Sequence, residues 1–222
     1  MANVLESGDE AAQGANESLG RRLRELRTQS GLSLRALARS LDISASAVSQ
    51  IETGVMVPSV NRLIAIVTAL GVPLSAAFEA PGAESAAAST TAATTLGDRL
   101  AGIADEPVEG DGYVISRAGR VPDMKLESGV VYRRLSPGPV PGLEIFESTY
   151  PAGSTGSAHG DLIRHDGFEI GSITSGTLTI TFEGEDVTLS AGDSITFPAT
   201  RPHRLSNRSG EPCVAVWLIV HS

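Results

Sequence analysis

The hydrophobic pattern of this 222-residue chain changes period once, and that change constrains the fold more than any single residue does. Between residues 18 and 79 apolar side chains recur every three or four positions, the spacing that gives a helix one apolar face. From Tyr113 onward they alternate in short runs separated by Gly, Pro and Asp, the spacing of strands and turns. The stretch between, 80–110, opens APGAESAAASTTAATT, which is small, polar and punctuated like a linker. Residues 1–17 hold few large apolar groups and read as a disordered tail. The expectation is therefore an α+β chain of two domains. A helical domain spans 18–79 and an all-β domain spans 111–222, joined by the 80–110 linker.

A hydrophobic fraction of 41% is enough for each half to bury a core. No run approaches the roughly 18 apolar residues of a membrane-spanning helix, so no membrane partner is expected. The acidic, polar N-terminus lacks the features of a secretory signal. The single cysteine, Cys213, fits a reducing compartment. Together these features predict a cytoplasmic protein.

The net charge of −9 is unevenly spread. Residues 18–79 carry seven arginines against four acids, whereas residues 80–222 carry ten bases against eighteen acids. A modestly basic module can contact phosphates locally despite an acidic partner, because screening acts over about 10 Å at 0.1 M salt.

Within the helical half, Leu19, Leu23 and Leu26 share a face of a first helix that Ser18 could cap. LRALARSL gives a second helix. Ser44 caps a third, ASAVSQIET, that stops at Gly54. VNRLIAIVTALG is a fourth, and LSAAFE a short fifth. A two-turn helix, a tight turn and a second short helix make a helix-turn-helix, whose second helix enters the DNA major groove. The exposed side of that third helix offers Ser44, Ala45, Ser46, Ser49 and Gln50, and Gln can pair bidentately with adenine.

These residues resemble the phage-repressor-type (Cro/C1, or XRE) helix-turn-helix domains. The likeness runs through the Leu37–Ala38 pair, the SQIETG segment Ser49–Gly54, Pro58 and the ALGV segment Ala69–Val72. It implies an all-α, five-helix, lambda-repressor-like domain on double-stranded DNA, with Ser44, Ala45, Ser46 and Gln50 reading bases. Thr53, Arg35 and Arg39 are implied near phosphate. Glu52 is expected to be structural, since a carboxylate is repelled by phosphate.

In the β half, TLTITFEGEDVTL reads as a hairpin turning at Glu183-Gly184, and SAGDS as another turn. Many short antiparallel strands of this kind form a barrel or jelly roll able to hold one small ligand. His165 and Glu169 stand four apart, and His203 follows the FPATRP turn. Two imidazoles and one carboxylate suit a divalent transition metal (iron, zinc, nickel or manganese) with coordination positions left open.

The segment 140–220 is similar to the cupins, the double-stranded β-helix barrels. His165, Glu169 and Gly176 fit the first cupin motif, and Gly192, Pro198, His203 and Asn207 fit the second. One departure stands out. The histidine two positions before His165 is replaced by Ile163, leaving three ligands, with His159 or Asp161 as the candidate fourth. Cys213 reads as a small hydrophobe, His221 as solvated, and Arg133 and Arg164 as candidate anion contacts. No Gly-rich phosphate loop and no nucleophile elbow is present.

A helix-turn-helix joined to a cupin resembles regulators in which the barrel is implied to bind a small-molecule effector and to reposition the DNA-binding heads. One head makes few contacts, so a homodimer reading two half-sites is expected. The alternative comes from another class. The same domain order is found in an iron(II)-dependent phosphonate epoxidase, and His165, Glu169 and His203 match its triad in type and order. On that reading the barrel is a non-haem iron oxidase and the head is scaffold.

Overall fold

The computed structural model of the protein describes residues 3–79, 113, 115, 123–137, 140–157 and 160–221, with the side chains of the first helix described from residue 14. The 80–110 linker and His159 lie outside the described residues.

Four helices and a 3-10 helix form the head: α1 (Asn3–Gln29), α2 (Leu34–Ser40), α3 (Ala45–Glu52), α4 (Val60–Leu70) and the 3-10 helix Leu74–Phe78. Three serines cap the short helices, Ser33 accepting from the Ala36 N–H, Ser44 from Ala47 and Ser59 from Arg62. Each occupies the position where a helix has unpaired N–H groups. Two sequence expectations change. The segment read as a tail is helical from Asn3 onward, so α1 does not begin at Ser18. Its Glu, Ala and Gln are good helix formers, and acids in an N-terminal stretch favour the helix dipole. The fifth helix is of the 3-10 type.

Leu19, Leu23, Leu26, Leu37, Val48, Ile51 and Leu63 form the core of the head. The tightest helix approach lies at Gly20, where a Cβ would stand 2.5 Å from the Ile51 carbonyl oxygen. Glycine at this position lets α1 cross directly over the end of α3. Arg27 holds the same junction from the other side. Its Nε and Nη2 donate to the two oxygens of buried Glu52 at 2.5 and 3.0 Å, which confirms Glu52 as structural.

The β domain contains β1 (Met124–Lys125), β2 (Val131–Arg134), β3 (Leu143–Tyr150), β4 (Phe168–Ser175), β5 (Thr177–Phe182), β6 (Glu185–Ser190), β7 (Ser194–Pro198), β8 (His203–Ser206) and β9 (Cys213–Val220). They form a six-stranded sheet in the order β1-β2-β3-β9-β4-β7 and a three-stranded sheet in the order β6-β5-β8. The pairs between named strands are antiparallel, and the β5–β6 hairpin turns at Glu183-Gly184. Along β3 and β9 every second residue is buried, as expected of strands with one face turned to a core. Phe146, Tyr150, Cys213, Ala215 and Trp217 fill the inner face together with Glu144 and Ser148. Gly171 of β4 pairs with Trp217, and a Cβ there would lie 2.3 Å from the indole. The glycine is what allows this large ring inside the barrel.

The head sits directly on the barrel. The Asn61 N–H donates to the Gly156 carbonyl at 3.1 Å, and its Nδ2 to the Asp161 carbonyl at 2.7 Å. The Glu144 carboxylate accepts from the Leu74 N–H at 3.2 Å and from the Ser75 N–H. The Phe78 and Phe146 rings pack at a tilt with centroids 5.2 Å apart.

Candidate functional site

Two regions carry functional chemistry. In the head, Ser44, Ser46, Ser49, Gln50 and Thr53 are exposed and Ala45 is half-buried, while Val48 and Ile51 on the opposite side of α3 are in the core. The Ser44 hydroxyl is engaged by its capping bond, and the Thr53 hydroxyl donates back to the Ser49 carbonyl at 2.9 Å. Arg35 and Arg39 are exposed on neighbouring α2.

Not all seven arginines of the head are surface charges. Buried Arg22 donates to the Ala76 carbonyl at 2.9 Å and to Glu79, fastening the 3-10 helix to α1. Arg27 is committed to Glu52, and Arg62 donates to the Leu41 carbonyl at 3.0 Å. The basic surface of the head comes from Arg21, Arg24, Arg35 and Arg39. Charge counting alone cannot make this distinction.

In the barrel, β4 and β8 bring Glu169 and His203 together from positions far apart in sequence, and the loop before β4 adds His165. His165 Nε2 lies 2.7 Å from Glu169 Oε1, and His203 Nε2 lies 3.1 Å from the same oxygen. One ligand atom from each residue falls within 4.8 Å of the others. On the far side of each ring, Nδ1 meets a backbone carbonyl, that of Asp166 at 3.1 Å and that of Arg201 at 2.8 Å. A carbonyl only accepts, so each Nδ1 carries its hydrogen and each Nε2 is left for the centre of the cluster. Protonated, a Nε2 donates to Glu169. Deprotonated, both lone pairs and the carboxylate converge as a two-histidine, one-carboxylate ligand set.

The charges agree with that geometry. Burial would push the Glu169 carboxyl up, yet hydrogen bonds from His165 and His203, and their charges, hold it at about 2. Burial lowers His165, but the bond and charge of Glu169 raise it overall. Nearby on the inner face, the Tyr132 and Tyr150 hydroxyls lie 3.2 Å apart. Burial pushes Tyr132 up to about 12.

Other sequence candidates resolve differently. Ile163 exchanges backbone hydrogen bonds with His203 at 2.8 and 2.9 Å and lines the cavity beside the triad as a hydrophobe. Asp161 is exposed and offers its carbonyl to Asn61 rather than its carboxylate to the triad. His221, expected to be solvated, is bonded through Nε2 to Glu144 at 2.7 Å, because the last strand carries it back over the barrel mouth. Arg133 pairs with Glu147 at 2.6 Å, Arg164 is exposed, and Cys213 is fully buried.

Sequence reasoning missed Asn61, Glu144 and Trp217. Glu144 and Trp217 sit on strand faces that alternation marks as inward, and a charged residue at such a position was the available signal.

Comparison with known proteins identifies a helix-turn-helix domain over residues 18–78 and a cupin domain over residues 146–219. The chain is 30% identical over 197 residues to the HTH-type transcriptional regulator PuuR of Escherichia coli strain K12, covering 87% of this chain and 90% of that protein. Its fold matches that of an HTH_3 family transcriptional regulator from Vibrio cholerae with a TM-score of 0.61 at 20% identity, over 95% of this chain and 99% of the other. Hydroxypropylphosphonic acid epoxidase from S. wedmorenis aligns over 92% of this chain and 97% of its own, with a TM-score of 0.43 at 17% identity. That likeness is too weak to argue for its chemistry.

Proposed function

We propose, because this chain belongs to the XRE-type helix-turn-helix transcription regulators that carry a C-terminal cupin domain, that it binds its operator sequence-specifically as a homodimer and that its barrel senses a small-molecule effector. The observation that carries this reading is the open polar side of α3, with Ser46, Ser49 and Gln50 free of the head's core. On this reading Gln50 pairs with adenine in the major groove, and Ser44, Ser46 and Ser49 add shorter contacts, with a methyl contact from Ala45. Arg35, Arg39 and Thr53 lie where phosphate contacts fix the register of the helix.

His165, Glu169 and His203 are the residues that would hold a divalent transition metal, whether iron, zinc, nickel or manganese, with His159 as a candidate fourth ligand. Bound there, the metal supplies a Lewis-acidic docking point for an anionic effector. The protein's own part is to fix both imidazoles through the Asp166 and Arg201 carbonyls, so that their Nε2 atoms stay aimed inward. The protein acts where its DNA is, in the cytoplasm. Among the described residues, no helix is long and apolar enough to cross a membrane.

The second reading, a non-haem iron(II) oxidase or epoxidase, has the triad in its favour. The 30% identity to an HTH-type transcriptional regulator over 87% of this chain favours the regulator.

The test is binding to DNA from the protein's own promoter region and to unrelated DNA across a salt series. Tighter promoter binding that Ser46→Ala/Gln50→Ala abolishes supports the reading. Equal, weak binding to both DNAs rules out sequence-specific regulation. Sedimentation of the complex distinguishes a dimer from a monomer.

A further inference from the structure

Three backbone N–H groups of the head find their acceptors on the barrel. Asn61 donates to the Gly156 carbonyl, and Leu74 and Ser75 donate to the Glu144 carboxylate. Each lies in the first turn of its helix, where no intrahelical acceptor exists. The barrel therefore completes the capping of α4 and of the 3-10 helix, a role usually filled by a local side chain.

Between these anchor points, Val60, Ile64 and Leu74 of the head face Glu169, His203 and Trp217 of the barrel across a small cavity. It has room for about one water molecule and not for a metabolite. Its polar chemistry is one-sided. The Trp217 indole N–H, a donor only, is buried without a partner. Glu169 Oε1, in the same wall, already accepts from both histidines. A ligand that meets the indole N–H must supply an acceptor.

We infer that the head itself completes the effector site, and that a small oxyanion enters only by lifting α4 and the 3-10 helix off the barrel mouth. This rests on the effector-sensing reading above and adds to it the ligand class and the moving part. A docked head and a filled pocket exclude each other because they claim the same space. Apparent effector affinity is then the intrinsic affinity scaled by the undocked fraction. By linkage, the effector acts on DNA through the position of the released head.

The seam reports on itself, because the amides of Asn61, Leu74 and Ser75 are protected from hydrogen exchange only while the head is docked. Full-length protein loaded with Co(II) is given oxalate as the probe. Oxalate binding is expected to speed exchange at these three amides by about tenfold or more. Glu144→Gln, which loosens the seam from outside the cavity, is expected to bind oxalate about tenfold more tightly. Bound oxalate with unchanged exchange overturns the lid, and Co(II) binding without oxalate binding overturns the oxyanion.

A second arm needs neither metal nor ligand. Ile163→Trp, or Leu205→Phe if the first variant does not fold, fills the cavity from the barrel side. Faster exchange at the three amides, with β3 and β9 still protected, supports the lid. Slow exchange in a folded variant overturns it. Failure of Co(II) to bind counts against the metal reading alone and leaves this arm to decide the lid.

Discussion

Helices α3 and α4 start alike and end up with opposite roles. Both are short and serine-capped, and both sit in the same small head. In α3 only three of eight residues are buried, and Ser46, Ser49 and Gln50 form an open polar side. In α4 seven of eleven are buried, among them the polar Asn61. One helix leaves a side open to solvent, and the other turns inward to both its own core and the barrel. Neither length nor capping tells the two helices apart; what marks the side that meets the barrel is a buried polar residue, Asn61.

Substitutions can separate the two sides of the head. The largest effect is expected at the junction that holds α3 to α1. Glu52→Ala leaves the Arg27 guanidinium without its buried partner and should cost the head about 3 kcal/mol. A thermal melt should show the head unfolding early while the barrel holds, and a variant with wild-type stability would refute the structural role of the pair.

Next is the inward side alone. Glu144→Gln removes a charge that accepts two head amides and the His221 bond, a loss of about 2 kcal/mol in docking. Scattering should show a more extended molecule with an intact helical signal. An unchanged profile would mean that the seam holds without this carboxylate.

The outward side should respond without the inward one. Ser46→Ala/Gln50→Ala should weaken promoter binding by about 10- to 100-fold, with the melting profile unchanged. A drop in stability instead would show that these side chains support the fold. A milder change on the same side, Arg35→Ala, should weaken all DNA equally and lower the salt slope by about one ion.

The smallest effect sharpens the contrast through pH. Burial pushes Glu144 up, but the His221 bond and the Ser75 hydrogen bonds bring it below the ordinary glutamate value. Of these, only the Ser75 bonds come from the head, so the lowering they supply exists in the docked state alone. That part of the docking stability is complete above the undocked value and is lost as pH falls through the docked value. Acidification below the ordinary glutamate range should therefore release the inward side first, with faster exchange at Leu74 and Ser75. Release on raising the pH would contradict this assignment.

Much of the molecule was legible in the chain before folding. The change of period separated head from barrel, Ser44 marked the start of α3, and Glu183-Gly184 marked a hairpin. His165, Glu169 and His203 could be matched by spacing because a metal site requires particular atoms. These features are local, or depend on residue chemistry that no context alters. Residues 3–17 misled because composition reports a missing core and not the helix propensity of Glu, Ala and Gln.

What only the tertiary structure decided is who meets whom. Gly20 reads as a weak point in a helix until α3 crosses it. Arg22 and Arg27 count as basic surface until Glu79 and Glu52 appear beside them. His221 looks like a solvated end until β9 lays it against Glu144. Nothing in the neighbourhood of Asn61 indicates that its amide needs the Gly156 carbonyl, 95 positions away. Periodicity and capping are set by neighbours in the chain, so the sequence determines them. Partnership across the seam depends on how two separately folded surfaces fit, and that is fixed only when they pack.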